Sequence, residues 1–180
     1  MKILTCSALL IVLALARQAA APAQAAAPKF PEVGKPAPAI RLNDQTGKIV
    51  TLGGPTKNWS ILAFYPKAMT SGCTAEMCSM RDTLQDLVMV GADAYGISLD
   101  SVQEQAQFAE KQKLPFPLLS DPDGSAATKY GVLEPGAEYT KRVTFVIDDK
   151  GILRKVIDQV DVKKHGEDLA GMIDQMKNGQ

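Results

Sequence analysis

Cys73 and Cys78 stand five positions apart in the run Phe64-Tyr65-Pro66-Lys67-Ala68-Met69-Thr70-Ser71-Gly72-Cys73-Thr74-Ala75-Glu76-Met77-Cys78. The run reads as an apolar strand that stops at Pro66, a turn, and a helix that begins close to Cys73. Proline cannot donate to a sheet ladder, and Thr70 or Ser71 can cap a helix. The first helical turn has N–H groups without intrahelical partners and carries the positive end of the helix dipole. A sulfur placed there is favoured as the thiolate, which is the nucleophilic form. This context predicts redox chemistry at Cys73.

The spacing of the pair is informative. On one helix, residues five apart have Cα atoms roughly 8.7 Å from each other, whereas a disulfide needs a separation below about 7 Å. If Cys73 and Cys78 pair, the helix between them has to unwind, which suits a transient bond better than a permanent staple. Cys-x4-Cys alone is more often structural or incidental than catalytic, and the strand-proline-turn-helix context reverses that balance. Arg142, at the start of a β-branched stretch, is the natural charge partner for Cys73. A guanidinium there would stabilise a thiolate and offer two parallel donors. Lys141 competes for that role, and the sequence does not choose between them. Zinc would need two ligands besides the two sulfurs, and His165 is the sole histidine. His165 is read as a solvated residue ahead of the last helix, and Met69, Met77, Met80 and Met89 as core filler.

The elements around these residues follow from periodicity. Ile40–Leu42 and Ile49–Leu52 flank a turn at Asn43–Gly47 and predict a hairpin. Trp59–Tyr65 and Ala94–Leu99 are short apolar runs expected to form buried strands. Between them, Met77, Met80, Leu84, Leu87 and Val88 repeat at helical spacing and predict one helix from Ser71 to about Val90, stopped by Gly91. Ser101 should cap a helix to about Lys113, with Val102, Ala106 and Ala109 on its inner face and Phe108 near the edge. Pro117–Ser120 is strand-like, Asp121–Gly124 turns, and Ser125–Tyr130 makes a short helix. Arg142–Ile147 and Ile152–Val160 predict a second hairpin, and Glu167–Lys177 a closing amphipathic helix with Leu169, Ile173 and Met176 inside. Strands alternating with helices, then a hairpin and a helix, are satisfied by an α/β fold with a mixed central sheet covered on both faces.

The chain has 180 residues, with 20 basic and 20 acidic side chains and three cysteines. That length fits one domain plus an appendage. No basic block or aromatic-basic stripe points to nucleic acid, and there is no Cys-x-x-Cys pair. Lys2, the apolar run Ile3–Ala16 and the small residues of Ala23-Gln24-Ala25 predict a signal peptide over residues 1–25. The alternative is an uncleaved membrane anchor. Cleavage would discard Cys6, Lys2 and Arg17 and leave 18 basic against 20 acidic residues. Residues 26–38, rich in Ala and Pro, read as a linker, and residues 39–180 as the folded domain. An exported, periplasmic protein without stable membrane association after cleavage is expected.

Pro66-x3-Thr70-x2-Cys73 resembles the active-site signature of the peroxiredoxins. Thr70–Cys78, Leu114–Asp121 and Arg142–Asp148 are similar to the bacterioferritin-comigratory-protein, or peroxiredoxin Q, subgroup. The likeness runs from about Val33 to the C-terminus. It implies a thioredoxin-like fold with an N-terminal β-hairpin. It also implies a thiol-dependent peroxidase acting on hydrogen peroxide and organic hydroperoxides, without cofactor or metal. By that resemblance Cys73 is the peroxidatic and Cys78 the resolving cysteine, Thr70 and Arg142 position and polarise the peroxide, and Pro66 shields the pocket. It further implies a Cys73–Cys78 disulfide, a thioredoxin-like reductant protein and a monomer. Ser71 departs from the subgroup, which commonly has proline there. Two other readings are a thiol-disulfide reductase or redox carrier on the same fold, and a secreted binding domain whose cysteines only pack.

Overall fold

A computed structural model describes residues 29–179 of the chain. The segment read as a signal peptide, residues 1–25, lies outside them. Seven strands form one sheet: β1 (Ile40–Asp44), β2 (Ile49–Leu52), β3 (Trp59–Phe64), β4 (Ala92–Ser98), β5 (Leu118–Ser120), β6 (Val143–Ile147) and β7 (Leu153–Ile157). Their spatial order is β2-β1-β5-β4-β3-β6-β7. The centre, β5-β4-β3, is parallel, and β6 and β7 add to it antiparallel. At the opposite edge β1 pairs antiparallel with both β2 and β5. The sheet is therefore mixed, as the alternating order of elements requires.

Every residue of β3 is buried, because both faces of the sheet are covered. Ile61, Ala63 and Tyr65 point to one face, where α1 (Ser71–Asp82), α2 (Leu84–Met89), α3 (Val102–Gln112) and α5 (His165–Asn178) pack. Leu62 and Phe64 point to the other, against Phe145 of β6 and against Ala126, Ala127 and Tyr130 in and after α4 (Ser125–Lys129). The period-two alternation thus feeds two separate apolar clusters. Of the segment read as a linker, residues 29–38 lie along the second cluster. Phe30 meets the Phe145 ring edge-on at 6.0 Å, the Gly34 N–H donates to the Leu153 carbonyl at 2.7 Å, and Pro36 bridges to Ile152.

Four expectations need correcting. The helix predicted over residues 71–90 is two helices, broken at Thr83. There the Thr83 hydroxyl turns back to the Ser79 carbonyl at 2.9 Å, and α5 crosses with Gly166 against the break. Phe108 is not at the edge of α3 but fully buried, with Gln105 and Ala109 beside it, while Val102 and Ala106 are only half-buried. Among the methionines, Met77 and Met80 fill the core, whereas Met69 and Met89 are exposed, Met89 to 78%. His165 is not a solvated residue before the last helix. It is the first residue of α5, and only 2% of it is exposed.

Candidate active site

Three chain segments converge on the N-terminal end of α1. The first is the connection from β3. Tyr65 continues β3 in register, its N–H donating to Ile97 at 3.0 Å, and the chain leaves the sheet at Pro66. Met69 then adopts φ 64°, a left-handed conformation that costs a side chain with a Cβ. Asp100, just past the end of β4, holds this turn. Its carboxylate accepts the Ala68 N–H at 2.8 Å and the Ser98 hydroxyl at 2.6 Å, and Lys67 approaches it to 3.7 Å. The turn places Thr70 at the N-cap with extended φ/ψ, and the Thr70 carbonyl accepts the first helical bond from Thr74.

The second segment is α1 itself. Its buried residues are Cys73, Glu76, Met77 and Met80, at i, i+3, i+4 and i+7, so one face of the helix lies on the sheet. Cys73 in the first turn is buried to 1% exposure and free. Glu76, one turn on, is completely buried in the same face. Cys78 is half-buried and free, and its thiol lies 3.8 Å from the Gln112 side-chain oxygen at the end of α3. The helix is unbroken between the two cysteines.

The third segment is the start of β6. Arg142 reaches back to α1, where Nη2 donates to Cys73 Sγ at 3.3 Å and Nη1 donates to Glu76 Oε2. Gly72 makes room for this approach, since a Cβ there would stand 3.3 Å from Arg142 Nη2. Lys141, the competing cation, instead pairs with Glu134 on the surface. Strand pairing explains the difference. Val143 faces Phe64 at the end of β3, which delivers Arg142 to the point where the chain turns into α1.

Burial pushes the Glu76 carboxyl up to about 7, against the opposing pull of Arg142. Its Oε2 takes the guanidinium, but its Oε1 has no hydrogen-bond partner among the described residues. Facing Oε1 at 3.7 Å is Nε2 of His165, which also lies 2.8 Å from the Thr144 hydroxyl of β6. Burial, with Arg142 nearby, pulls His165 down to about 4, so the ring is neutral at neutral pH.

Of the residues singled out in the sequence, Cys73 and Arg142 are in contact. Thr70 and Pro66 belong to the turn that leads into the site. The exposed Thr70 hydroxyl donates to the Lys67 carbonyl at 2.9 Å, and does not cap α1 through its side chain. Pro66 is half-buried and, with Lys67, Asp100 and Tyr139, lines a small depression beside the turn. Glu76 and Asp100 were not singled out in the sequence, and His165 was read as solvated. Glu76 had a signal, because it sits at core spacing from Cys73, Met77 and Met80, where an acidic residue demands a partner. Asp100 and His165 had none, since the turn at Lys67 and Ala68 that Asp100 holds, and the Glu76 and Thr144 that face His165, are distant in sequence. A buried sulfur at a helix start, faced by a guanidinium that a buried carboxylate holds, can attack an electrophile while stabilising charge on a departing atom.

Residues 33–156 match the family model described as the AhpC/TSA family. The putative peroxiredoxin bcp of Haemophilus influenzae is 39% identical over 139 residues, covering 74% of this chain and 90% of that protein. Peroxidoxin BcpB of Mycobacterium tuberculosis superposes with a TM-score of 0.73 at 34% identity, over 80% of this chain and 97% of that one. A bacterioferritin comigratory protein of Xanthomonas campestris, whose structures address alkyl peroxide reduction, superposes with a TM-score of 0.71 at 27% identity, over 76% of this chain and 91% of that one.

Proposed function

This chain belongs to the AhpC/TSA family and is a thiol-dependent peroxidase of its Bcp and peroxiredoxin Q branch, and we propose that Cys73 is the sulfur that meets the peroxide. The observation that carries this reading is the Arg142 guanidinium donating to Cys73 Sγ at 3.3 Å inside the first turn of α1. In this mechanism the Cys73 thiolate attacks the terminal peroxide oxygen. The O–O bond breaks, the leaving oxygen takes a proton, and water or an alcohol departs while Cys73 becomes a sulfenic acid. Arg142 and the N–H groups at the start of α1 stabilise charge as it moves onto the leaving oxygen. Thr70 and Pro66 shape the entry to that position.

Cys78 then attacks the sulfenic sulfur, hydroxide leaves and is protonated to water, and the two sulfurs join. Helical geometry keeps their Cα atoms roughly 8.7 Å apart while α1 is intact, beyond the reach of a disulfide at about 7 Å. The first turns of α1 therefore open before the bond closes. A thioredoxin-like dithiol protein returns both cysteines to thiols by exchange, supplying two electrons. Hydrogen peroxide and organic hydroperoxides are the substrates. The protein is exported by its N-terminal segment and works as a monomer, and N-terminal sequencing and sedimentation of the purified protein check these two points.

The decisive experiment follows peroxide loss with Cys73→Ser and Cys78→Ser. Cys73→Ser should consume none, and Cys78→Ser should reduce one equivalent and stop as a sulfenic acid that dimedone traps. Peroxide turnover by Cys73→Ser would refute the assignment.

A further inference from the structure

Beyond Cys73 and Arg142, the site contains a buried group that the mechanism above does not use. His165 lies under the site on α5, and its position is fixed by a close helix crossing. A Cβ on its neighbour Gly166 would fall 1.9 Å from Thr83 Oγ1 and 2.6 Å from the Ser79 carbonyl oxygen. Only glycine lets α5 come that near α1. The Gly166 N–H closes the contact by donating to Ser79 Oγ at 3.1 Å. The crossing brings His165 Nε2 to 3.7 Å from Glu76 Oε1, the oxygen without a partner, and to 2.8 Å from Thr144 Oγ1.

We propose that His165 is a positioning residue for the peroxidase reaction: it carries its proton on Nε2, turns that N–H toward Glu76 Oε1, and so fixes the carboxylate that aims Arg142 at Cys73. This inference rests on the assignment of Cys73 as the reacting sulfur and deepens it. The physical reason is satisfaction of a buried carboxylate. One oxygen has the guanidinium, and the other needs a donor if Glu76 is to stay ionised and in plane. A neutral imidazole has one N–H, on Nδ1 or Nε2. On Nδ1 it would leave a nitrogen lone pair facing Oε1. On Nε2 it places a hydrogen before both Thr144 Oγ1 and Glu76 Oε1. The charged or titratable groups around this chain of contacts are Cys73 and Glu76 from α1, Arg142 before β6, and Asp161, Glu167 and Asp168 in the depression beside His165.

Without the donor, Glu76 holds its proton to higher pH and releases Arg142. His165→Leu should therefore slow the first oxidation of Cys73 about tenfold at pH 7, the scale of a misplaced catalytic group. The deficit should shrink toward pH 9, where Glu76 ionises regardless. His165→Gln, which keeps an N–H donor, should stay within about threefold of the parent. In a Glu76→Gln background, His165→Leu should add nothing, because the effect travels through the carboxylate. A deficit equal at every pH, or additive with Glu76→Gln, or absent, would overturn the proposal. Should His165→Leu fail to fold, the parent protein decides. His165 is the only histidine, so untagged protein labelled with ¹⁵N-histidine gives a single imidazole spectrum. The Nε2–H tautomer supports the proposal and the Nδ1–H tautomer overturns it. That spectrum needs no peroxide, so failure of this inference is distinguishable from failure of the Cys73 assignment.

Discussion

Arg142 Nη2 lies 3.3 Å from Cys73 Sγ, across 69 positions of sequence, and the same guanidinium is held from its other side by the buried Glu76. The pairing makes the cation part of the fold and not a mobile surface arm. Replacing Arg142 with Ala removes the donor at the reacting sulfur, and the oxidation of Cys73 by peroxide should slow by about 10²-fold, the usual cost of one preorganised donor. Arg142→Lys keeps a charge but loses the fork that spans Cys73 and Glu76, so it should fall between the two. Stopped-flow mixing with hydrogen peroxide reads both. A rate for Arg142→Ala equal to the parent would remove Arg142 from the reaction.

Glu76 and His165 impose opposite pH dependences on stability. Glu76 is raised from 4.5 to about 7 in the folded chain, so the stability it contributes is complete below 4.5 and is lost as pH rises through about 7. His165 is lowered from 6.5 to about 4, so its contribution is present above 6.5 and is lost as pH falls through about 4. Over the shared window the two slopes nearly cancel. At 1.36 kcal/mol per pKa unit, each spans at most about 3 kcal/mol. Glu76→Gln should leave a protein that loses stability from pH 6.5 down to 4, and His165→Gln one that loses it from pH 4.5 up to 7. Urea unfolding of the three proteins across that range reads the slopes. Parallel curves would contradict the assignment of the two shifts.

Opening of α1 should be visible once the disulfide forms. After one equivalent of peroxide, backbone amides in the first two turns, beginning with the Thr74 N–H that bonds the Thr70 carbonyl, should lose protection from hydrogen exchange. Amides of β3 and β4 should keep theirs. Unchanged protection over residues 73–78 in protein shown by mass to be oxidised would exclude a Cys73–Cys78 bond.

Two glycines of α5 should respond oppositely to alanine. At Gly171 an added Cβ meets nothing within 4 Å, and Gly171→Ala should stabilise by roughly 0.5–1 kcal/mol through helix propensity. At Gly166 the same methyl meets Thr83 and the backbone of α1, and Gly166→Ala should destabilise by about 1–3 kcal/mol. Thermal melts decide, and equal effects would mean that the α1–α5 crossing is not as close as described.

What was legible in the sequence is what local chemistry determines. The buried strand that begins at Trp59, the helix capped by Ser101 and the short helix after Gly124 follow from periodicity and turn residues. Cys73 was legible because proline, a turn and a helix start lie within a few residues of it. The break at Thr83 was not, because a crossing helix 83 residues later imposes it through Gly166. His165 was misplaced for the same reason, since its burial depends on that crossing and on Thr144. Arg142 and Lys141 were indistinguishable as neighbouring cations, and the register of β6 on β3 separates them.

The most direct measurement is intact and peptide mass analysis of Cys78→Ser and Cys73→Ser after a single equivalent of hydrogen peroxide. Cys78→Ser should gain one oxygen, located on Cys73 and lost on dimedone trapping, while Cys73→Ser gains none. Oxygen on another residue, or none on Cys73 with the peroxide left intact, would contradict the account.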